Sequence, residues 1–248
     1  MLSVVIITKN EADNIEQCLQ SVQWADEIIL VDSGSTDATL CKAQRYTSLI
    51  YHADDWHGYG IQKQRALSYA TCDWVLNIDA DEIVTPELTH AILDIMQNTQ
   101  VDACRIPIRM QFYNQKLRYS LSPTRHIRLF KRSGAAYSQD PVHEKIQLPA
   151  SARVISLTAE IQHNSYIDVS HALEKINRYS SATALLRQQA GRRTSLLRIC
   201  SATLWMFIRT YFIQFGFLDG RAGFLLAIFN THGTFYRGIK QLYPDRGL

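Results

Sequence analysis

The chain has 248 residues, 46% hydrophobic and 20% charged, which suits one large domain or a domain with an appendage and excludes an intrinsically disordered chain. Its net charge of +3 hides an asymmetry: residues 1–186 carry 17 Lys/Arg against 21 Asp/Glu, whereas residues 187–248 carry nine against two, an acidic body with a basic tail suited to an anionic surface. Five scattered cysteines (Cys18, Cys41, Cys72, Cys104, Cys200) show no CxxC spacing, which argues against a disulfide framework or a zinc site and fits buried thiols in a reducing cytoplasm.

The run from Leu2 to Thr8 is too short for a signal peptide, and its basic Lys9 follows it; it reads as a strand. Residues 11–22 then read as a helix, 27–31 as a strand, 36–46 as a helix and 48–51 as a short strand. Residues 59–70 are predicted helical, 73–78 a fourth strand and 86–97 a helix, with Pro86 in the first turn, where its missing N–H costs nothing. This alternation implies βαβ units and a parallel sheet with right-handed crossovers. From Asp102 the pattern changes: 103–112, 127–131 and 142–146 look like strands without long helices between them, an antiparallel extension beside the strand ends. Beyond Asp168 the chain reads as helical to its end. The expected division is a domain over 1–165 and a helical, basic and aromatic region over 166–248.

The chemistry gathers at the strand ends. Asp79-Ala80-Asp81-Glu82 stands at the mouth of the apolar run 74–78, and ligands of open α/β sheets bind beyond the carboxyl ends of such strands. Asp79 and Asp81, two apart in an extended segment, point the same way. Their repulsion is relieved by a hard divalent cation, Mg²⁺ or Mn²⁺, which can bridge a diphosphate; the alternative is an acidic loop capping the next helix. The first strand ends in Thr8-Lys9-Asn10-Glu11 and the second in Asp32-Ser33-Gly34-Ser35-Thr36-Asp37. Thr8, Asn10 and Glu11 therefore fall where a nucleotide would sit. Asp32 is placed to accept hydrogen bonds from a base or ribose, with Ser35 and Thr36 capping the following helix and Gly34 making the turn. No GxGxxG follows the first strand, which counts against a dinucleotide-dependent oxidoreductase.

The order TKNE, VDSGSTDAT, GYGIQKQRAL, DWVLNIDADE resembles the inverting family 2 glycosyltransferases of GT-A fold, over roughly residues 1–150. Trp56-His-Gly-Tyr-Gly60 and Gln62-Lys63-Gln64-Arg65, with the DADE motif, are similar to the bacterial lipopolysaccharide/lipooligosaccharide core β-1,4-glucosyltransferases that act on the inner-core heptose. The resemblance implies a Rossmann-like, mostly parallel nucleotide-binding sheet with an antiparallel acceptor-side extension, followed by the amphipathic helical region. It implies that Asp32 contacts the nucleoside, that Lys63 and Arg65 line the diphosphate side, that Asp81 holds the metal and that Asp79 lies nearer the ribose and donor sugar. A solvated helix face is the equal alternative for Lys63 and Arg65. It also implies a general base in the second half, near Pro141-Val142-His143-Glu144; Glu144 is the first choice and Asp140 the second. His143 either orients the base or approaches the metal, or is a satisfied strand histidine. Arg125 and Arg128 either read anionic groups of a phosphorylated acceptor or are salt-bridged surface residues.

The C-terminus is the last informative region. Residues 196–217 are strongly apolar and aromatic, interrupted by Arg198 and Arg209, which are 11 residues apart and so about 20° from eclipsed on a helix. A second amphipathic stretch, 222–236, is flanked by Arg237 and Lys240. The expectation is a helical pair lying in the membrane interface or offering a basic rim to lipid phosphates, with ordinary core helices as the alternative. No run of 18 uncharged apolar residues occurs, so no spanning helix is expected, and nucleic acid is disfavoured because the basic residues interleave with large apolar ones. The combined expectation is metal-dependent, inverting sugar transfer from a UDP-sugar, by resemblance UDP-glucose, to a heptose of a lipid-anchored core oligosaccharide. The protein is expected in the cytoplasm, peripheral on the cytoplasmic face of the inner membrane. Rival readings are a polyprenyl-phosphate or polysaccharide acceptor, and a catalytically silent nucleotide-sugar-binding protein; a nucleotidyltransferase lacks the Gly-rich basic loop after the first strand that a triphosphate needs.

Overall fold

The computed structural model describes residues 1–112, 115–120, 122–138, 144–166 and 169–244, apart from the side chains of 165, 166 and 171. The chain forms two compact units, Met1–Ile108 with Thr124–Asn164, and Arg109–Pro123 with Ser165–Leu248. It runs β1 (Leu2–Thr8), α1 (Ile15–Gln20), β2 (Glu27–Asp32), α2 (Thr39–Ala43), β3 (Leu49–His52), α3 (Tyr59–Tyr69), β4 (Trp74–Asp79), β5 (Glu82–Val84) and α4 (Pro86–Met96). Shorter strands follow: β6 (Ala103–Phe112), β7 (Gln115–Lys116), β8 (Thr124–Lys131), β9 (Ala136–Tyr137), β10 (Ile146–Gln147), β11 (Val154–Ser156) and β12 (Ile161–Tyr166).

Among the described residues the main sheet is ordered β3-β2-β1-β4-β8-β6-β12-β5, with β7 and β11 on β6, while β9 and β10 pair separately. β3, β2, β1 and β4 are parallel, as the alternation of strand and helix requires; β8 adds antiparallel to β4, and β12 antiparallel to β5. All seven residues of β1 are buried. Its Leu2, Val4 and Ile6 pack with Ile15, Cys18 and Leu19 of α1 and Leu88 and Ile92 of α4, and its Val5 and Ile7 pack with Ala66 and Leu67 of α3. Both faces of the strand are covered, which is why it reads as an unbroken apolar run, and each Val or Ile so buried contributes about 1.5–3 kcal/mol. The carboxyl ends of β2, β1 and β4 thus form a ledge fixed by the best-packed part of the unit.

Several elements differ from expectation for local reasons. α1 begins at Ile15 rather than residue 11, because Glu11 is held by its N–H to Thr39 Oγ1 and its carbonyl closes a turn onto Asn14 N. α2 begins at Thr39 rather than residue 36, because Thr36 N donates to Asn10 Oδ1 and Asp37 caps Thr39 N. β8 reaches back to Thr124, and β11 and β12 are strands that the sequence did not suggest. The strand expected over 142–146 begins in residues outside those described; the described strand there is Ile146–Gln147.

In the second unit α5 (Val169–Gln189) and α7 (Gly220–Leu242) pack with the 109–123 segment around Phe112, Leu117, Ala172, Ile176, Ala222, Leu226 and Phe229, and α6 (Leu196–Ile208) packs on α7. The expected helix over 196–217 is not continuous. α6 gives way to a π-helical turn over Arg209–Ile213, Phe215 takes a left-handed conformation (φ 57°), and a 3₁₀ turn over Gly216–Asp219 leads into α7. Asp219 makes this corner: its carboxylate accepts from Arg118 N (2.8 Å), Tyr119 N (3.0 Å) and Ser120 Oγ (2.9 Å). Against the expectation of no spanning segment, Leu196–Ile213 is long and apolar enough to cross a membrane by length and composition, its two arginines notwithstanding, and only 11% of it is buried.

Candidate active site

The parallel register sets Thr8 beside Asp32 and Ile7 beside Asp79, so Asp32 and Asp79 flank the end of β1. Asp32 is buried, and its carboxylate accepts from Gly34 N (3.0 Å) and Ser35 N (2.9 Å) on Oδ2 and from Ser35 Oγ on Oδ1. This turn needs Gly34 at φ +86°, where a side chain is strained. Asn10, at φ 56°, donates its N–H to Ser35 Oγ and accepts from Thr36 N, tying the ends of β1 and β2 together. Glu11 accepts from Asn14 Nδ2. A carboxylate offers about four lone-pair positions, so Asp32 retains capacity on Oδ1. Thr8 Oγ1 is buried with no hydrogen-bond partner among the described residues.

At the end of β4 the charges are arranged differently from expectation. Asp79 does not share an open site with Asp81: its Oδ1 lies 3.1 Å from Lys63 Nζ and its Oδ2 2.7 Å from Arg128 Nη2. Lys63, buried on α3, also contacts Glu144 Oε1 at 2.8 Å, so one ammonium joins the two carboxylates. Burial opposes charge on Asp79, but the cations of Arg128 and Lys63 outweigh it and hold its pKa well below the usual carboxylate range. Burial likewise lowers the Lys63 pKa, and Asp79 and Glu144 more than restore it.

Arg128, expected at the acceptor or on the surface, is neither exposed nor facing outward. The antiparallel register of β8 against β4 runs to Leu76 opposite Leu129, and from the next residue of β8 the Arg128 guanidinium donates to Asn77 Oδ1 (3.0 Å), Asp79 Oδ2 (2.7 Å) and Glu82 Oε1 (2.6 Å). Its Nε is buried with no partner among the described residues. Glu82 also accepts from Asp79 N; burial pushes its pKa up to about 7 despite the facing arginine. Arg65, expected beside the diphosphate, is held by Asp55 through two Nη–carboxylate contacts of 2.8 and 2.6 Å. Arg125 is exposed on β8. Asp140 and His143 lie outside the described residues; Glu144 is described, with a side chain 17% exposed.

Asp81 meets a residue that the sequence reading passed over. β12 returns antiparallel to β5 with His163 opposite Glu82, and His163 Nε2 lies 2.9 Å from Asp81 Oδ2. That contact is a hydrogen bond in this structure, and the same two atoms also have the spacing of neighbouring ligands on an octahedral cation with bonds of about 2.1 Å. A second group, Asp32, His52 and Asp54, brings one ligand atom from each within 4.8 Å of the others. The donor set fits a divalent cation at Asp81 and His163, with Asp79 committed to Lys63 and Arg128. Nothing local in the sequence marks His163; only the pairing of β12 with β5 brings it to the motif.

A family model described as Glycosyl transferase family 2 matches residues 3–153. A glycosyltransferase of Rickettsia bellii, described as uncharacterized, is 30% identical over 251 residues, covering 96% of this chain and 85% of that one. The lipopolysaccharide core biosynthesis glycosyltransferase LpsC of Rhizobium meliloti is 28% identical over 250 residues, covering 96% and 91%. Among solved structures, the mannosyltransferase PcManGT of Pyrobaculum calidifontis, in complex with GDP-Man and Mn²⁺, matches with a TM-score of 0.53 at 15% identity, over 99% of this chain and 88% of that one; this is a likeness of fold.

Proposed function

This chain belongs to glycosyl transferase family 2 and is a glycosyltransferase of GT-A fold, and from that premise we propose that it moves glucose from UDP-glucose, with inversion, onto a heptose of a lipopolysaccharide inner core. The observation that carries the reading is the array at the end of β4, where Lys63 joins Asp79 to Glu144 and Asp81 faces His163. LpsC, named for lipopolysaccharide core biosynthesis, supports the class of acceptor.

In this reading Asp32 uses its remaining acceptor position on the nucleoside, beside Thr8, Asn10 and Glu11. Asp81 and His163 hold Mg²⁺ or Mn²⁺, which when bound neutralises charge on the departing diphosphate. The acceptor hydroxyl oxygen bonds to the anomeric carbon from the face opposite the leaving group as the carbon–diphosphate bond breaks. Glu144 takes the hydroxyl proton, and Asp140 is the second choice for that role. Lys63 holds Asp79 and Glu144 at a fixed separation, so the donor side and the base side are positioned together.

The lipid-anchored acceptor places the work at the cytoplasmic face of the inner membrane, supported by the exposed Leu197, Leu204, Trp205, Phe212 and Ile213 in the basic C-terminal part. The same exposed residues favour, as a second reading, a polyprenyl-phosphate acceptor. Acceptor profiling tests the choice: with UDP-glucose and Mn²⁺, heptosyl core oligosaccharide is expected to be glucosylated and a polyprenyl phosphate left unchanged. Transfer to the polyprenyl phosphate instead reverses the assignment.

A further inference from the structure

A cavity of about 320 Å³ lies within the second unit, between α5, the α6 segment with its π-helical turn, and α7. Its charged lining is basic: Lys175, Arg209 and Arg237 reach it, and no carboxylate lines it among the described residues. Tyr179 and Thr183 bring further hydroxyls to the lining, Ser180 donating its own to Asn177 O, and Met206 and Phe229 add apolar surface. Three features set this lining apart from an ordinary solvated charge cluster.

First, Arg237 Nε is buried with no hydrogen-bond partner among the described residues, and buried donors are normally satisfied. Second, neither Arg209 nor Arg237 has a salt bridge among the described residues, whereas the buried cations of the first unit, Lys63 and Arg128, are each matched by carboxylates. Burial and the like charge of Arg187 hold the Arg237 pKa below its ordinary value. Third, Lys240 is satisfied nearby by neutral groups alone: Asn177 O and Oδ1, Ser180 Oγ and Ser181 Oγ.

A planar guanidinium with an unused donor, a second arginine and the hydroxyls of Tyr179 and Thr183 make the kind of donor set that phosphate oxygens take. Tyr179, on the lining, is 46% exposed, so the cavity reaches solvent beside an aromatic ring. We propose that this cavity is a phosphate-ester binding site, in which Arg209 and Arg237 grip the phosphate oxygens and the apolar surface of Met206 and Phe229 receives the carbon chain beside it. The ester is supplied either by the headgroup of an anionic membrane lipid or by a soluble phosphate ester. The site lies in the second unit and does not rest on the sugar or acceptor proposed above.

The test uses the full chain, the double variant Arg209→Gln/Arg237→Gln, and a control, Arg192→Gln/Arg193→Gln, that removes the same charge from an exposed loop outside the cavity. Arg209→Gln alone, at an exposed residue, keeps the test available should the double variant not fold. Two probes are used: phosphatidylcholine vesicles with and without phosphatidylglycerol, read by cosedimentation, and sn-glycerol 3-phosphate, read as a rise in melting temperature. If the lipid is the source, phosphatidylglycerol-dependent binding falls about 25-fold in the cavity variant, at about fivefold per basic residue, and clearly less in the control. If a soluble ester is the source, glycerol 3-phosphate raises the melting temperature of the wild type and control but not of the cavity variant. Equal responses of cavity variant and control to both probes overturn the proposal, because the arginines then act only as diffuse charge.

Discussion

Asp79 meets a different cation at each carboxylate oxygen, Lys63 on one side and Arg128 on the other, and Lys63 passes the connection on to Glu144. If Glu144 is the base, Glu144→Gln lowers transfer by about 10²–10⁴-fold while UDP-glucose affinity, measured by calorimetry, stays within a few-fold. Transfer that persists in that variant moves the role to Asp140. The sequence disclosed the half of this cluster carried by the parallel strands, since Asp32, Asp79 and Asp81 sit at strand ends that apolar runs announce. It did not disclose Arg128, Glu82 and His163 as partners. Their meeting depends on the antiparallel register of β8 on β4 and of β12 on β5, and register between strands distant in sequence leaves no local periodic mark. Arg65 illustrates the same limit: its partner Asp55 lies in the loop ahead of α3, outside the helical periodicity that places Arg65.

At the scale of elements, Glu27 binds three strands together at the end of the sheet remote from the site. Its carboxylate accepts from Ser3 Oγ on β1 and from Thr71 N (2.7 Å) and Thr71 Oγ1 (2.9 Å) ahead of β4. Burial opposes ionisation, but these hydrogen bonds outweigh it and lower the Glu27 pKa. A depressed carboxylate contributes stability that is full above its unfolded value of about 4.5 and is lost as pH falls through the folded value. Glu27→Gln should therefore cost about 1–2 kcal/mol at pH 7, with the difference from wild type closing below pH 4; urea unfolding across pH checks it, and a pH-independent difference contradicts it. In the second unit, a Cβ on Gly223 of α7 would stand 1.9 Å from Gly216 O, and backbone cannot yield as a side chain does. Gly223→Ala is predicted to lower stability by about 3 kcal/mol or more, read from the urea midpoint; an unchanged midpoint would show that α7 does not pack as described. The composition of 196–217 announced apolar helix but not the π turn and left-handed Phe215 that end it, because that reversal is held by Asp219 reaching residues 118–120, a contact about a hundred positions away.

The whole molecule divides its labour along the chain. The first unit carries most of the family 2 match and the charged ledge; the second carries the basic excess, most of the exposed large apolar residues and the phosphate cavity. Trp205, Phe212 and Ile213 are each more than half exposed, which is costly in water and useful at a lipid interface. Trp205→Ser/Phe212→Ser is expected to lower partitioning onto anionic vesicles about tenfold or more, as loss of buried apolar area predicts, with UDP-glucose binding unchanged. Equal partitioning of variant and wild type removes the interfacial role. The charge split that raised this expectation was visible in the sequence, because composition over sixty residues needs no register to read. The central claim is a metal-dependent nucleotide-sugar site at Asp81 and His163, and it is tested most directly by titrating UDP-glucose into the full chain in Mn²⁺ and in EDTA. The account predicts binding in Mn²⁺ that is lost in EDTA, and that Asp81→Asn in Mn²⁺ weakens by about 10–100-fold. Equal affinity in both buffers, or no binding in either, would contradict it.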